Sequence, residues 1–143
     1  MVNLTKGEGF GRPLLEFSLT NKPIISTNWS GHIDFLNVEY TTLLPGNLTR
    51  VHQSAANKML MPDAEWFSVD MGSVGKYLKD VFENYKPYAE NSKRQGYQSR
   101  NHFSFDKMKE KIDSILTTKI PNLPQQVELQ LPKLNLPKLN KIK

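Results

Sequence analysis

The chain has 143 residues, a net charge of +5 and no cysteine. This length supports one domain with a modest core, and the lack of thiols excludes disulfides and thiolate zinc sites and fits a reducing, cytoplasmic setting. A hydrophobic share of 38% is low for a packed chain, so part of it is expected to stay outside the core.

The charge is uneven. Residues 1–120 hold 15 Lys or Arg and 13 Asp or Glu, a net +2, whereas residues 121–143 hold 4 and 1, a net +3. No apolar run reaches the length of a transmembrane helix. The start, Met1 to Gly7, lacks the basic and apolar regions of a signal peptide, so the sequons at Asn3, Asn28 and Asn47 read as coincidence.

In chain order, Val2–Thr5 is β-prone and reads as the end of a strand. A turn over Lys6–Gly11 leads to a helix from about Pro13 to Thr20, with Leu14, Leu15, Phe17 and Leu19 as packing positions. Asn21 suits a left-handed C-cap, with Pro23 just past the end. Pro23–Thr27 is a β-branched run expected to form a buried parallel strand. Asn28–Gly31 reads as a loop and Ile33–Leu36 as a short helix. Thr41–Leu44 and Leu48–His52 are expected as short strands around a Pro45-Gly46-Asn47 turn. The order strand–helix–strand predicts an α/β fold with a parallel sheet.

The rest reads as helical. Pro62–Trp66 is expected as a loop with an aromatic anchor. Helices are expected over Val74–Tyr85, Pro87–Arg100 and Phe105–Leu116, the last capped by Ser104. Lys93, Arg94, Tyr97 and Arg100 are the nearest approach to a nucleic-acid patch, and they read as a solvated helix face. No nucleic-acid partner is expected. The tail, residues 121–143, repeats Leu-Pro-Lys-Leu-Asn, and its prolines exclude helix; it reads as an extended basic segment with a docking role as one option.

The densest signal is Glu8-Gly9-Phe10-Gly11-Arg12-Pro13-Leu14-Leu15-Glu16. Glycines let a backbone approach a ligand closely, Pro is preset for a helix start, and a glycine turn feeding a helix suits an anion. A carboxylate on each side suits hydroxyls flanking phosphates. The run continues through Asn21-Lys22-Pro23-Ile24-Ile25-Ser26-Thr27 into the loop Asn28-Trp29-Ser30-Gly31.

Together these residues resemble the donor-binding motif of retaining glycosyltransferases of the GT-B fold, in particular glycosyltransferase family 4. The resemblance is strong over residues 4–36 and looser to about 117, where Phe103-Ser104-Phe105 resembles the approach to the closing helices. It implies an incomplete Rossmann-like domain over residues 1–120 that binds a UDP-, GDP- or ADP-sugar, with no metal and no cofactor beyond the donor. It implies that Glu16 bonds the ribose hydroxyls, that Glu8 faces the transferred sugar as the catalytic-site carboxylate, and that the N–H groups of Gly9, Phe10 and Gly11 meet the sugar and distal phosphate. Ser30 and Gly31 fall at the small-residue loop near the donor. Asp34 stands where many relatives have the longer glutamate. The resemblance further implies that the acceptor domain and the first donor-domain strands are missing, so that a complementary N-terminal polypeptide is the expected partner. Little activity is expected from the chain alone, since a leaving diphosphate needs positive charge and only Lys6 and Arg12 flank the motif.

Other readings stay open. Glu8 and Glu16 could serve a glycosidase as acid and base, though the glycine turn would then be unexplained. Asp63 and Glu65 loosely match a carboxylate metal motif. His32, His52 and His102 lack ligand spacing, and only His32 lies in the donor loop. A non-enzymatic remnant or interaction module that uses the basic tail is the second functional reading.

Overall fold

The structure, a computed structural model, describes residues 1–120, and the tail read as extended lies outside the described residues. The described chain is α/β, with a three-stranded parallel sheet, an antiparallel strand pair and four helices. The sheet comprises β1 (Val2–Asn3), β2 (Ile25–Thr27) and β3 (Thr42–Leu44) in the order β1-β2-β3. Val2 pairs with Ile25, and Ile25 with Thr42.

All three residues of β2 are buried, as a β-branched strand covered on both faces requires. Consecutive side chains turn to opposite faces, which splits the core in two. Ile24 joins Leu14, Phe35 and Leu36, with Leu15, Phe17 and Leu43 packed against them. Ile25 joins Leu44 and Val74, backed by Val69, Tyr77 and Val81. Helix α1 (Arg12–Ser18) supplies Leu14 to the first cluster, and α2 (Met71–Glu83) supplies Val74 to the second. Asp70 caps α2 by accepting from the N–H groups of Gly72 and Ser73, at 3.1 and 3.2 Å. Asn21 takes the left-handed conformation its position after α1 suggested, with φ 58°.

Two expectations need correction. No turn forms at Pro45-Gly46-Asn47: the chain runs from β3 straight into β4 (Gly46–Arg50), two residues earlier than the strand expected there. The supposed loop around Trp66 is instead the start of β5 (Glu65–Val69), which pairs antiparallel with β4, Leu48 opposite Phe67. Aromatic and β-branched residues in β5 favour the extended chain, and the loop signal belongs only to the preceding Pro62 and Asp63.

Helix α3 (Tyr85–His102) buries Ser92, Gln95, Gly96 and Ser99, a face of small and polar groups. Their polar groups are satisfied: Ser92 Oγ donates to Tyr88 O at 2.7 Å, Ser18 Oγ donates to Ser99 Oγ at 2.8 Å, and Gln95 Nε2 donates to Phe35 O at 2.8 Å and to Ser99 Oγ at 3.0 Å. The Asn37 N–H donates to Gln95 Oε1 at 2.9 Å. Helix α4 (Phe105–Lys119) starts at the Ser104 cap and buries no residue. No described helix is long and apolar enough to cross a membrane.

Candidate functional site

Two loops leave the carboxyl ends of the parallel strands, where ligands of open α/β sheets gather. The first, residues 4–11, follows β1; the second, residues 28–31, follows β2. They are tied together at Glu8. Its N–H donates to Ser30 Oγ at 2.7 Å, and its carbonyl accepts from the Gly31 N–H at 3.0 Å. The structure therefore brings Glu8, Gly9, Ser30 and Gly31 into one junction, with Glu8 half-buried.

Glycine is required twice here. A Cβ on Gly31 would lie 2.1 Å from the Gly9 carbonyl oxygen. Gly11, the N-cap of α1, has φ 81°, and a Cβ there would lie 2.8 Å from the His32 Cβ. Gly9 has open space around it. Pro13 lies in the first turn of α1, which has seven residues, so the field at its amino end is that of a short helix.

Phe10 is anchored by its ring, whose centroid is 5.1 Å from that of Phe35 and 6.2 Å from that of Phe103. Glu16 lies on the exposed side of α1, where its Oε1 is 2.7 Å from Arg12 Nε. Glu8 and Glu16 thus occupy different environments, a loop junction and a solvated helix face. Asp34 is exposed in a single 3₁₀ turn, Gly31–Asp34.

His32 is fully buried beneath the glycine turn. Its Nε2 is 2.6 Å from the Thr27 carbonyl, which only accepts, so Nε2 carries the hydrogen. Nδ1 has no partner among the described residues. The geometry makes His32 a pillar between β2 and the turn above it.

The β4–β5 pair adds residues that the motif did not single out. The Phe67 N–H donates to the Lys6 carbonyl at 3.1 Å, fastening β5 to the first loop. Trp29 stacks on Phe67, with centroids 6.1 Å apart and planes within 3°. Lys6 Nζ lies 3.9 Å from the Trp66 ring centre. Trp29 was legible as an aromatic in the donor loop, but its partner comes from a strand distant in sequence. Among the described residues no group of three His, Cys, Asp or Glu could hold a metal ion; Glu65 pairs with Arg50 in the β4–β5 ladder rather than forming a loop pair with Asp63.

Comparison with protein-family models, curated proteins and solved structures found no match to this chain.

Proposed function

We propose that the chain is a donor-binding fragment of a retaining glycosyltransferase, a partial Rossmann-like domain of the GT-B kind that binds a nucleotide-diphosphate sugar in the cytoplasm. The observation that carries this reading is the Glu8–Ser30–Gly31 junction. It joins the glycine turn and the small-residue loop at the carboxyl end of a parallel sheet. In this reading Glu8 faces the sugar, Glu16 takes the ribose hydroxyls after leaving Arg12, and the Gly9–Gly11 backbone meets the phosphate side.

The same geometry argues for weak chemistry in isolation. Lys6 sits against Trp66 and Arg12 against Glu16. Without donor neither cation is poised for a leaving diphosphate; donor binding would release only Arg12, so further positive charge is expected from a complementary polypeptide. The sheet has a place for one. In the parallel ladder Asn3 bonds to β2, and Val2 and Leu4 direct their backbone groups away from it. Beside this edge α2 exposes Leu78, which shares a hollow with Met1 and Val2 and gives an added strand an apolar contact.

The test is a titration of labelled chain with UDP-, GDP- and ADP-sugars, followed through backbone amides. Saturable shifts at Gly9, Phe10, Gly11 and Glu16 are expected. A folded spectrum that no donor perturbs would overturn the reading. A second reading, an interaction module, is favoured by one observation: α4 has no buried residue.

A further inference from the structure

Phe105, Met108, Ile112, Ile115 and Leu116 recur at helical spacing and form one stripe along α4. All five are between 46% and 74% exposed. Where α4 begins, Phe105 and Met108 flank a groove of about 370 Å³ that also includes Phe10, Leu15 and Phe103. Beyond that turn the stripe faces solvent. A helix of 15 residues is marginal in water by itself, so this face calls for a cover.

Charge decides which cover. On the helical wheel Lys109 borders the stripe on one side and Lys111 on the other, and Lys119 lies within it at the far end. Asp106, Glu110 and Asp113 lie away from the stripe, and Glu110 is engaged by Lys107 at 2.6 Å. A second copy packed stripe to stripe would set Lys109 and Lys111 against their own counterparts. An apolar arc with a lysine on each border instead matches a surface with an oily interior and an anionic rim. The lysine stems can lie along the apolar boundary while their ammonium groups reach the phosphates. The cationic character also continues past the helix, because residues 121–143 add a net +3, from 4 Lys and 1 Glu. Charge spread over so long a segment suits an extended surface better than one acidic helix of a partner protein.

We infer that α4 docks in the plane of an anionic membrane surface, with the Phe105–Leu116 stripe at the acyl boundary and Lys109, Lys111 and Lys119 at the phosphates. This inference does not rest on donor binding.

The experiment is flotation of the full chain with two vesicle types, pure phosphatidylcholine and phosphatidylcholine mixed with phosphatidylglycerol. Recovery with the anionic vesicles is expected, with affinity for the neutral ones at least roughly tenfold weaker. Ile112→Asp is expected to lower anionic-vesicle binding by roughly tenfold or more, and Lys109→Glu with Lys111→Glu to do the same. Ser114→Asp, on the opposite face, is expected to keep binding, which controls for added charge. Each site is exposed, so the amide spectrum of residues 1–102 should be unchanged in every variant. Absence of anionic-vesicle binding overturns the inference. So does binding that survives Ile112→Asp and is lost only when residues 121–143 are removed, which would assign it to the tail. A concentration-dependent dimer that Ile112→Asp abolishes, without vesicle binding, would assign the stripe to a second copy.

Discussion

Ser30 holds Glu8 by the main chain, its Oγ accepting from the Glu8 N–H at 2.7 Å while Ser30 itself has φ 73°. A serine in this backbone region is strained, and its hydroxyl is what the strained position delivers. Ser30→Gly relieves φ but leaves the Glu8 N–H without its partner, and Ser30→Ala loses the hydroxyl with no relief. Ser30→Ala is therefore expected to cost about 1–2 kcal/mol in chemical denaturation, with Ser30→Gly milder. Equal stability of all three chains would show that the bond contributes nothing.

Gly31→Ala tests the junction from the other side. The new methyl would lie 2.1 Å from a backbone oxygen, which cannot rotate away as a side chain could. The 7–11 loop must then separate from the 28–31 loop. Amide shifts at Gly7–Gly11 are expected, with loss of any donor-induced change, while the distant Ile25–Leu44–Val74 cluster keeps its spectrum. An unperturbed 7–11 loop would contradict the close approach of Gly31 to Gly9.

The strand–turn–helix–strand unit was legible because each step carries its own local signal. Gly11 supplies the positive φ, Pro13 the helix start, Asn21 the left-handed stop and Ile24-Ile25 the buried strand. The β4–β5 pair was not legible: Pro62 and Asp63 carry turn chemistry that masks the extended run after them, and Trp29 meets Phe67 only through tertiary packing. Helix α3 was found as a helix, but its buried face was not, because a search for apolar periodicity passes over Ser92, Gln95, Gly96 and Ser99. For α4 the pattern gave the helix and its apolar side, and that side lies exposed. Periodicity tells which side of a helix is apolar, not what covers it.

Gln95 is the hinge of the buried polar face. Its side chain serves the Asn37 N–H, the Phe35 carbonyl and Ser99 Oγ together. Gln95→Leu preserves bulk but strands these groups away from water, at about 1–3 kcal/mol for each one left unsatisfied. A loss of several kcal/mol is the expected result in a urea titration monitored by circular dichroism. A change below about 1 kcal/mol would mean that water replaces the side chain at no cost.

Tyr88 and Asp80 give a pH signature. The Tyr88 hydroxyl donates to the Asp80 carboxylate, and this bond, with desolvation and the adjacent negative charge, pushes the phenol up to about 12. A native value raised above the unfolded one favours the folded state at pH below the unfolded value, near 10, and this contribution fades as pH rises from about 10 to 12. Both residues are half-buried at the surface, where water screens part of the interaction, so the stability change is smaller than the shift alone suggests and the titration itself is the better readout. Asp80→Asn is expected to return Tyr88 toward its ordinary value, followed by NMR of the labelled phenol carbon. No movement on substitution would remove Asp80 as the cause.

Glu16→Ala separates stability from binding. The Arg12–Glu16 pair lies on the surface, with side chains 83% and 59% exposed, and exposed pairs at this spacing contribute about 0.3–0.5 kcal/mol. Its removal should leave the unfolding midpoint almost unchanged. If Glu16 bonds the ribose hydroxyls of a donor, the same change removes two hydrogen bonds to a charged group and is expected to weaken nucleotide-sugar binding by roughly tenfold or more. Arg12→Ala provides the internal control: it frees the Glu16 carboxylate from its cation, so donor binding should hold or strengthen. Calorimetric titration of the three chains with each nucleotide sugar reads both effects. Loss of binding in Glu16→Ala at constant stability supports the ribose role. Donor binding that is unchanged in Glu16→Ala but weakened in Arg12→Ala would make the cation the ligand-facing group and move the site off the carboxylate.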